Sequence, residues 1–242
     1  MPKRAESEPL RLSVVVPAFN EERRIGPTLE RIAAYLARQP YAAEIIVVDD
    51  GSTDLTVPRA EASLREGPPF RILSRAVNRG KGAAVRDGVM AAAGGFILFT
   101  DADLSTPIEE LEKFWPEIEA GADAVIGSRA LPGSDVQVHQ AAVRETMGKT
   151  FNLLVRFLVM RGYPDTQCGF KLFRTAAAKD VFSRLRTEGF SFDVEVLWLC
   201  RKLGYRVRQV PVCWRNSPES RVRLVRGSLA MLRDLWRIRR SR

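Results

Sequence analysis

Four short apolar runs, at residues 12–16, 43–48, 70–74 and 96–100, punctuate the first hundred residues of the chain, with a stretch of helical character between each and the next. The runs favour Val and Ile and are too continuous to alternate between a wet and a dry face. That is the pattern of strands buried on both sides, as in a parallel sheet. Between the first two, Ile25, Leu29, Ile32, Ala33 and Leu36 share one helical stripe and place a helix over 25–38. Further helices are predicted over 54–65 and 83–93, followed by the breakers Pro68-Pro69 and Gly94-Gly95. A β-α-β-α-β-α-β order implies right-handed crossovers and a mostly parallel, doubly wound α/β sheet with helices on both faces. Such sheets bind ligands beyond the carboxyl ends of their strands.

Acidic residues stand at those ends. The run at 96–100 stops in Asp101-Ala102-Asp103, and the run at 43–48 stops in Asp49-Asp50. Carboxylates at i and i+2 converge where the chain turns, and Ser105, Thr106 and Pro107 supply the turn signal. Converging hard oxygens suit a hard divalent cation, Mg²⁺ or Mn²⁺, that keeps open positions for phosphate.

The pattern continues with a helix over 107–119 and a strand over 124–128 that ends at Arg129. The second half is less regular. An apolar helix is expected at 144–160, then the segment DTQCGFKLF at 165–173, a helix at 175–183, the segment GFSFDVEVLWLC at 189–200, and a strand at 207–214. Pro211 interrupts that strand and puts it at an edge or a bulge. Phe190, Phe192 and Trp198 read as core, Glu195 as facing solvent or a salt bridge, Cys168 as a small packed residue, and His139 as a loop residue without chemistry.

Charge is unevenly spread. Residues 201–242 hold 13 Lys or Arg against two acids, whereas residues 1–200 hold 25 against 27, so the tail carries the whole +9 excess. A basic tail seeks nucleic acid or an anionic membrane surface. In helical projection Arg223, Arg226, Arg233, Arg237 and Arg240 share a face opposite Val225, Leu229, Leu232 and Trp236, flanked by Leu224, Met231, Leu235 and Ile238, while Arg239 breaks the pattern by falling within the apolar half. An Arg face opposite Trp and Leu suits a helix lying in a bilayer interface, or one packed on the domain with its Arg face in water. The aliphatics and single Trp lack the stacking platform of a single-strand nucleic-acid binder, so no nucleic-acid partner is expected. Cys168, Cys200 and Cys213 lack CxxC spacing and read as reduced thiols in a cytosolic compartment. The apolar run at 151–160 contains Arg156 and falls short of the roughly 20 residues that span a bilayer.

Seven segments occur in order over residues 12–214: VVVPAFNEE, VVDDGSTD, NRGKGAAVRDGV, FTDADLSTP, GSR, DTQCGFKLF and GFSFDVEVL. Together they resemble the inverting family 2 glycosyltransferases of GT-A fold, in particular the dolichyl- and polyprenyl-phosphate sugar synthases. The resemblance implies a nucleotide-binding half at 12–103 and an acceptor half at 104–216, within a domain at 10–216 that follows a disordered terminus at 1–9 and precedes a basic amphipathic helix at 217–242. It implies that Pro17, Ala18, Asn20 and Glu21 line the nucleobase and ribose pocket, that Asp50 bonds the base, and that Lys81 holds the nucleotide. Asp101 and Asp103 then bring the metal to the diphosphate, Arg129 lies near the phosphates, and Arg144 and Lys149 meet the acceptor phosphate. Asp165 occupies the place of a catalytic carboxylate, with Asp193 the other candidate base.

The implied reaction moves glucose from UDP-glucose to a polyprenyl or dolichyl phosphate, metal-dependent and inverting, at the cytosolic face of a membrane. Peripheral contact or a membrane-protein partner would hold the enzyme there. GDP-mannose as donor and a hydroxyl-bearing acceptor are the alternatives within the class. A Mg²⁺-binding receiver-like module is the alternative outside it, although that module carries its acidic pair after the first strand, and here VVDD follows the second.

Overall fold

The computed structural model describes residues 9–138, 152–155, 157–215 and 224–240. The polar terminus at 1–8, His139, Arg144, Lys149, Arg156, the first part of the helix expected at 144–160 and the start of the tail at 216–223 lie outside these residues. So do the side chains of 224–230 and 232.

The first half follows the expected order: β1 (Leu12–Ala18), α1 (Ile25–Leu36), β2 (Ala43–Asp49), α2 (Thr56–Leu64), β3 (Phe70–Ser74), α3 (Lys81–Ala91) and β4 (Phe96–Thr100). All seven residues of β1 and of β2 are buried, as strands covered on both faces require. β1 pairs in parallel with β2, from Leu12 opposite Ala43 to Ala18 opposite Asp49, and with β4 on its other side. Side chains alternate between two cores. Val14, Val16, Ile45 and Val47 meet Ile25, Leu29 and Ile32 of α1 on one face. Val15, Ile46 and Val48 meet Ala84, Val85 and Val89 of α3 on the other. A Cβ on Gly88 would overlap the side chain of Val15, so α3 lies against the sheet closer than any larger residue permits.

The second half adds β5 (Ala124–Ser128), β6 (Asp135–Val138), β7 (Phe170–Arg174), β8 (Val207–Pro211) and β9 (Cys213–Arg215). Among the described residues seven strands form one sheet in the order β3-β2-β1-β4-β7-β5-β8, and β6 pairs with β9 in a small separate sheet. β7 runs antiparallel between β4 and β5, within an otherwise parallel sheet. The strand expected at 207–214 is two strands. β8 takes the open edge of the large sheet and stops at Pro211, while β9 leaves it for β6. The helix expected at 107–119 is a 3-10 turn at Ile108–Lys113 followed by the short α4 (Trp115–Glu119). Pro116 at the start of α4 has no N–H with which to continue one ladder through both.

α5 (Thr175–Ser183) matches the helix expected there, and the segment at 189–200 supplies α6 (Phe192–Lys202). Phe192 and Trp198 are buried, but Phe190, expected in the core, sits in the turn before α6 and is 46% exposed. Glu195, expected to face solvent or a salt bridge, is buried instead and accepts the backbone N–H groups of Arg186 and Thr187 at 3.2 and 2.7 Å. All three cysteines are free, with Cys168 and Cys200 buried. Among the described residues no helix is long and apolar enough to cross a membrane.

The C-terminal helix α7 (Leu224–Arg240) seats fully buried Leu235 and Ile238 in the core shared with α6, and Asp234 lies beside Ser191. Trp236, which the helical projection groups with Leu235 and Ile238, points the other way and is 55% exposed.

Candidate active site

The carboxyl ends of β1, β2 and β4 open onto one edge of the sheet. β1 ends in Pro17 and Ala18, and the Ala18 carbonyl accepts the Asp50 N–H at 2.8 Å, joining the first two strand ends. Asn20 follows with φ 54, a left-handed conformation that Asn tolerates. Its N–H donates to Ser52 Oγ at 2.8 Å and its Oδ1 accepts the Thr53 N–H at 2.9 Å, so the loops after β1 and β2 hold each other. Glu21 donates its N–H to Thr56 Oγ1 at 2.7 Å. Its carboxylate grips the Arg24 guanidinium, which also reaches Asp103 at 3.7 Å.

Asp50 is buried and fully engaged. It accepts the N–H of Arg79 at 3.1 Å, that of Gly80 at 2.7 Å, and Arg75 Nη1 at 3.0 Å. Arg75 also holds the Ala83 carbonyl at 2.7 Å and pairs with Asp87. Sequence reasoning missed Arg75, which sits three residues before the motif it organises. Asp50 and Arg75 together fix the loop 78–80, whose Gly80 takes φ 110 and passes so near the Glu188 carbonyl that a Cβ would stand 2.6 Å from that oxygen. The loop delivers Lys81 as the first residue of α3.

Lys81 Nζ lies 2.5 Å from Asp101 Oδ1, at the end of β4. Burial disfavours the ammonium charge, but Asp101, Asp193 and Asp103 outweigh it and hold Lys81 above the ordinary lysine range. Asp103 accepts the Ser105 N–H at 3.0 Å; burial and then the neighbouring Asp101 push its carboxyl up. Asp101 packs on the backbone of Gly169, where a Cβ would overlap its carboxylate. That contact joins the DTQCGFKLF segment to the acidic pair, and no spacing in the sequence announces it.

In the DTQCGFKLF segment Asp165 is 2% exposed and accepts four N–H groups. Arg129 supplies its backbone N–H at 3.0 Å, Nε at 2.7 Å and Nη2 at 2.8 Å, and Gln167 supplies its N–H at 3.2 Å. Burial opposes ionisation of Asp165, but the Arg129 guanidinium prevails and holds the carboxyl below its usual range. Arg129 also packs over Trp214, 5.4 Å from the ring centroid. Asp193 lies at the start of α6 against Lys171, whose fully buried Nζ donates to the Cys168 carbonyl at 2.6 Å. Burial pushes Asp193 up, against the pull of Lys171 and Lys81. Burial likewise lifts the Cys168 thiol to about 11, which keeps it neutral. Lys171 was also missed, although a Lys flanked by Phe170 and Leu172 in an apolar run calls for a buried partner.

Lys81, Asp101, Asp103, Arg129, Asp165 and Asp193 thus share one electrostatic neighbourhood, while Asn20, Glu21 and Asp50 build its rim. Asp101 and Asp103 fit a hard divalent cation. Asp101 Oδ1 is buried against the Lys81 ammonium, and burial and then repulsion from Asp101 raise Asp103, so a cation shared by the two carboxylates would ease that repulsion. Among the described residues no three His, Cys, Asp or Glu side chains converge on a metal position, so such an ion would complete its shell with phosphate oxygens and water.

Residues 13–182 match glycosyl transferase family 2. The chain belongs to that family. It is a glycosyltransferase, and this match covers β1 to β5, the DxD and β7. A dolichyl-phosphate beta-glucosyltransferase of Drosophila melanogaster is 37% identical over 250 residues, 98% of this chain and 77% of that protein. One of Dictyostelium discoideum is 34% identical over 94% of this chain and 73% of its own length. Among solved structures, glucosyl-3-phosphoglycerate synthase from Mycobacterium tuberculosis, crystallised with Mn²⁺ and UDP-glucose, superposes with a TM-score of 0.67 at 21% identity. The superposition covers 93% of this chain and 79% of that one. The likeness establishes the GT-A fold for this glycosyltransferase.

Proposed function

We propose that this glycosyltransferase moves a glucosyl group from UDP-glucose to the phosphate of a dolichyl or other polyprenyl phosphate, with inversion at the anomeric carbon. One observation carries the reading: Asp101 touches both the donor-side Lys81 and the acceptor-side Gly169, so both halves meet at the strand end that bears the DxD. The relatives named dolichyl-phosphate beta-glucosyltransferase, similar over nearly the whole chain, support glucose and a dolichyl phosphate.

Pro17, Ala18, Asn20 and Glu21 line the base and ribose side in this reading, with Asp50 behind them. A Mg²⁺ or Mn²⁺ ion held by Asp101 and Asp103 supplies, when bound, a Lewis acid for the departing diphosphate. Lys81 and Arg129 add fixed positive charge where negative charge develops, and need no rearrangement as it does. Asp165 fixes the guanidinium fork of Arg129. The acceptor oxygen needs little help from a base, because a phosphate monoester with a second pKa of about 6 is already largely ionised near neutrality. Attack on the face opposite the leaving diphosphate inverts the sugar. Arg144 and Lys149 are the proposed ligands of the acceptor phosphate. The enzyme works at the cytosolic face of the membrane that holds its acceptor.

Purified chain supplied with Mg²⁺ or Mn²⁺, dolichyl phosphate and labelled UDP-glucose or GDP-mannose tests this, with organic extraction and mass spectrometry of the product. A lipid-soluble glucosyl phosphate is expected from UDP-glucose. A mannosyl product from GDP-mannose alone, or transfer only to saccharide hydroxyls, would overturn it.

A further inference from the structure

Two helical segments seated on one core turn large apolar side chains outward. In α7, Leu235 and Ile238 fill that core, and one residue further round the helix Trp236 is 55% exposed. Arg233, Arg237, Arg239 and Arg240 are also exposed, and the Arg240 guanidinium stacks on Trp236, 3.4 Å from the ring centroid. Asp234, the one acid in 224–240, turns towards Ser191. In the helical residues 152–155 and 157–158, Val155 packs into the same core, while Leu153 and Phe157 are 63% and 79% exposed. Being four apart, those two share one helical face.

We propose that residues 233–240 of α7, together with residues 152–155 and 157–158, form a docking surface for an anionic phospholipid bilayer. Trp236, Leu153 and Phe157 enter the headgroup layer, and the four arginines meet lipid phosphates. The proposal rests on the lipid-linked acceptor above, for which it supplies the meeting surface. The charge complementarity is one-sided, since 13 Lys or Arg face two acids over 201–242. Arginine suits the role because its apolar stem follows a buried Trp while its head stays at the phosphates. Single-stranded nucleic acid fits less well. It wants successive stacking rings, whereas α7 offers one Trp already covered by Arg240, and Leu153 and Phe157 have nothing to do there. The two arrangements that the amphipathic pattern allowed are compatible: the helix packs through Leu235 and Ile238 and still presents Trp236.

Full-length chain is floated with vesicles of phosphatidylcholine, with or without phosphatidylglycerol, across a salt series. Binding is expected only with phosphatidylglycerol and should fade as the screening length falls from about 10 Å at 0.1 M salt to about 3 Å at 1 M. Replacing Arg233, Arg237, Arg239 and Arg240 with Gln should lower partitioning at least about 100-fold. The paired change Trp236→Ala and Phe157→Ala should lower it at every salt concentration. Both variants keep Leu235 and Ile238, so their melting temperatures should match the parent, and glucosyl transfer to a short, water-soluble prenyl phosphate should be unchanged. Parental chain that ignores anionic vesicles, variants that bind as well as the parent, or binding of single-stranded RNA in place of vesicles would each overturn the proposal. Vesicle binding without transfer to any prenyl phosphate would sink the functional reading and leave the surface standing; transfer to the soluble acceptor without vesicle binding would do the reverse.

Discussion

Asp165 spends its lone pairs on Arg129 and the Gln167 N–H, so a proton leaving substrate would find no free acceptor there. Asp165→Asn and Arg129→Gln should therefore lower kcat by similar factors, and the double change should add little, because both dismantle one fork. Replacing Asp165 with Ala should also destabilise the protein by about 3 kcal/mol in urea unfolding, the low end for a broken buried pair because Arg129 keeps 29% exposure. The folded pKa of Asp165 is depressed, so the stability it lends is complete above the unfolded carboxylate value of about 3.9 and vanishes only as pH falls through the lower folded value. Nothing about Asp165 titrates near neutrality. The acid limb of the rate profile should lie at about 6, follow the acceptor phosphate, and survive in Asp165→Asn. Asp103→Asn should cut metal-dependent transfer more than about 100-fold with an unchanged circular dichroism spectrum, since an amide is a poor ligand for a hard cation. Gly169→Ala should displace Asp101 and raise the metal concentration needed for half-maximal activity.

At the scale of elements, the strands of the parallel half were legible because each is an apolar run that needs both faces covered, and β1 and β2 are buried along their whole length. β7 was not legible as a strand. Its five residues FKLFR contain a Lys and an Arg, and only tertiary structure reveals that Asp193 and the Cys168 carbonyl neutralise the first. The site was legible as a set of residue types at strand ends. The pairing of Arg129 with Asp165, the hold of Arg75 on Asp50, and the seat of Asp101 on Gly169 all join segments far apart in the chain, which no local pattern reports. Lys171→Met should cost about 3–5 kcal/mol in urea unfolding by stranding Asp193, and adding Asp193→Leu should recover part of that loss. Gly88→Val should destabilise by about 1–3 kcal/mol, because α3 must lift from Val15.

Over the whole molecule, protection should follow position in the sheet. Native-state hydrogen exchange should be slowest in β1, β2 and β4, and faster in the edge strands β3 and β8, where most positions are partly or fully exposed. The antiparallel seat of β7 bears on the order in which the molecule is built. β2 joins β1 and β3 joins β2 one crossover on, and β4 closes on β1 with Phe96 opposite Leu12, all within the first hundred residues, whereas the partner of Thr100 is Phe170, which is made much later. Synthesis runs from the N-terminus, so the pairing of β7 follows those of β1 to β4. A chain emerging from the ribosome can therefore align β1 to β4 and expose its DxD while Asp165, Gly169 and Lys171 are still unmade. The wall behind Asp101 arrives late, so the nascent chain has its acidic pair before it has a complete site.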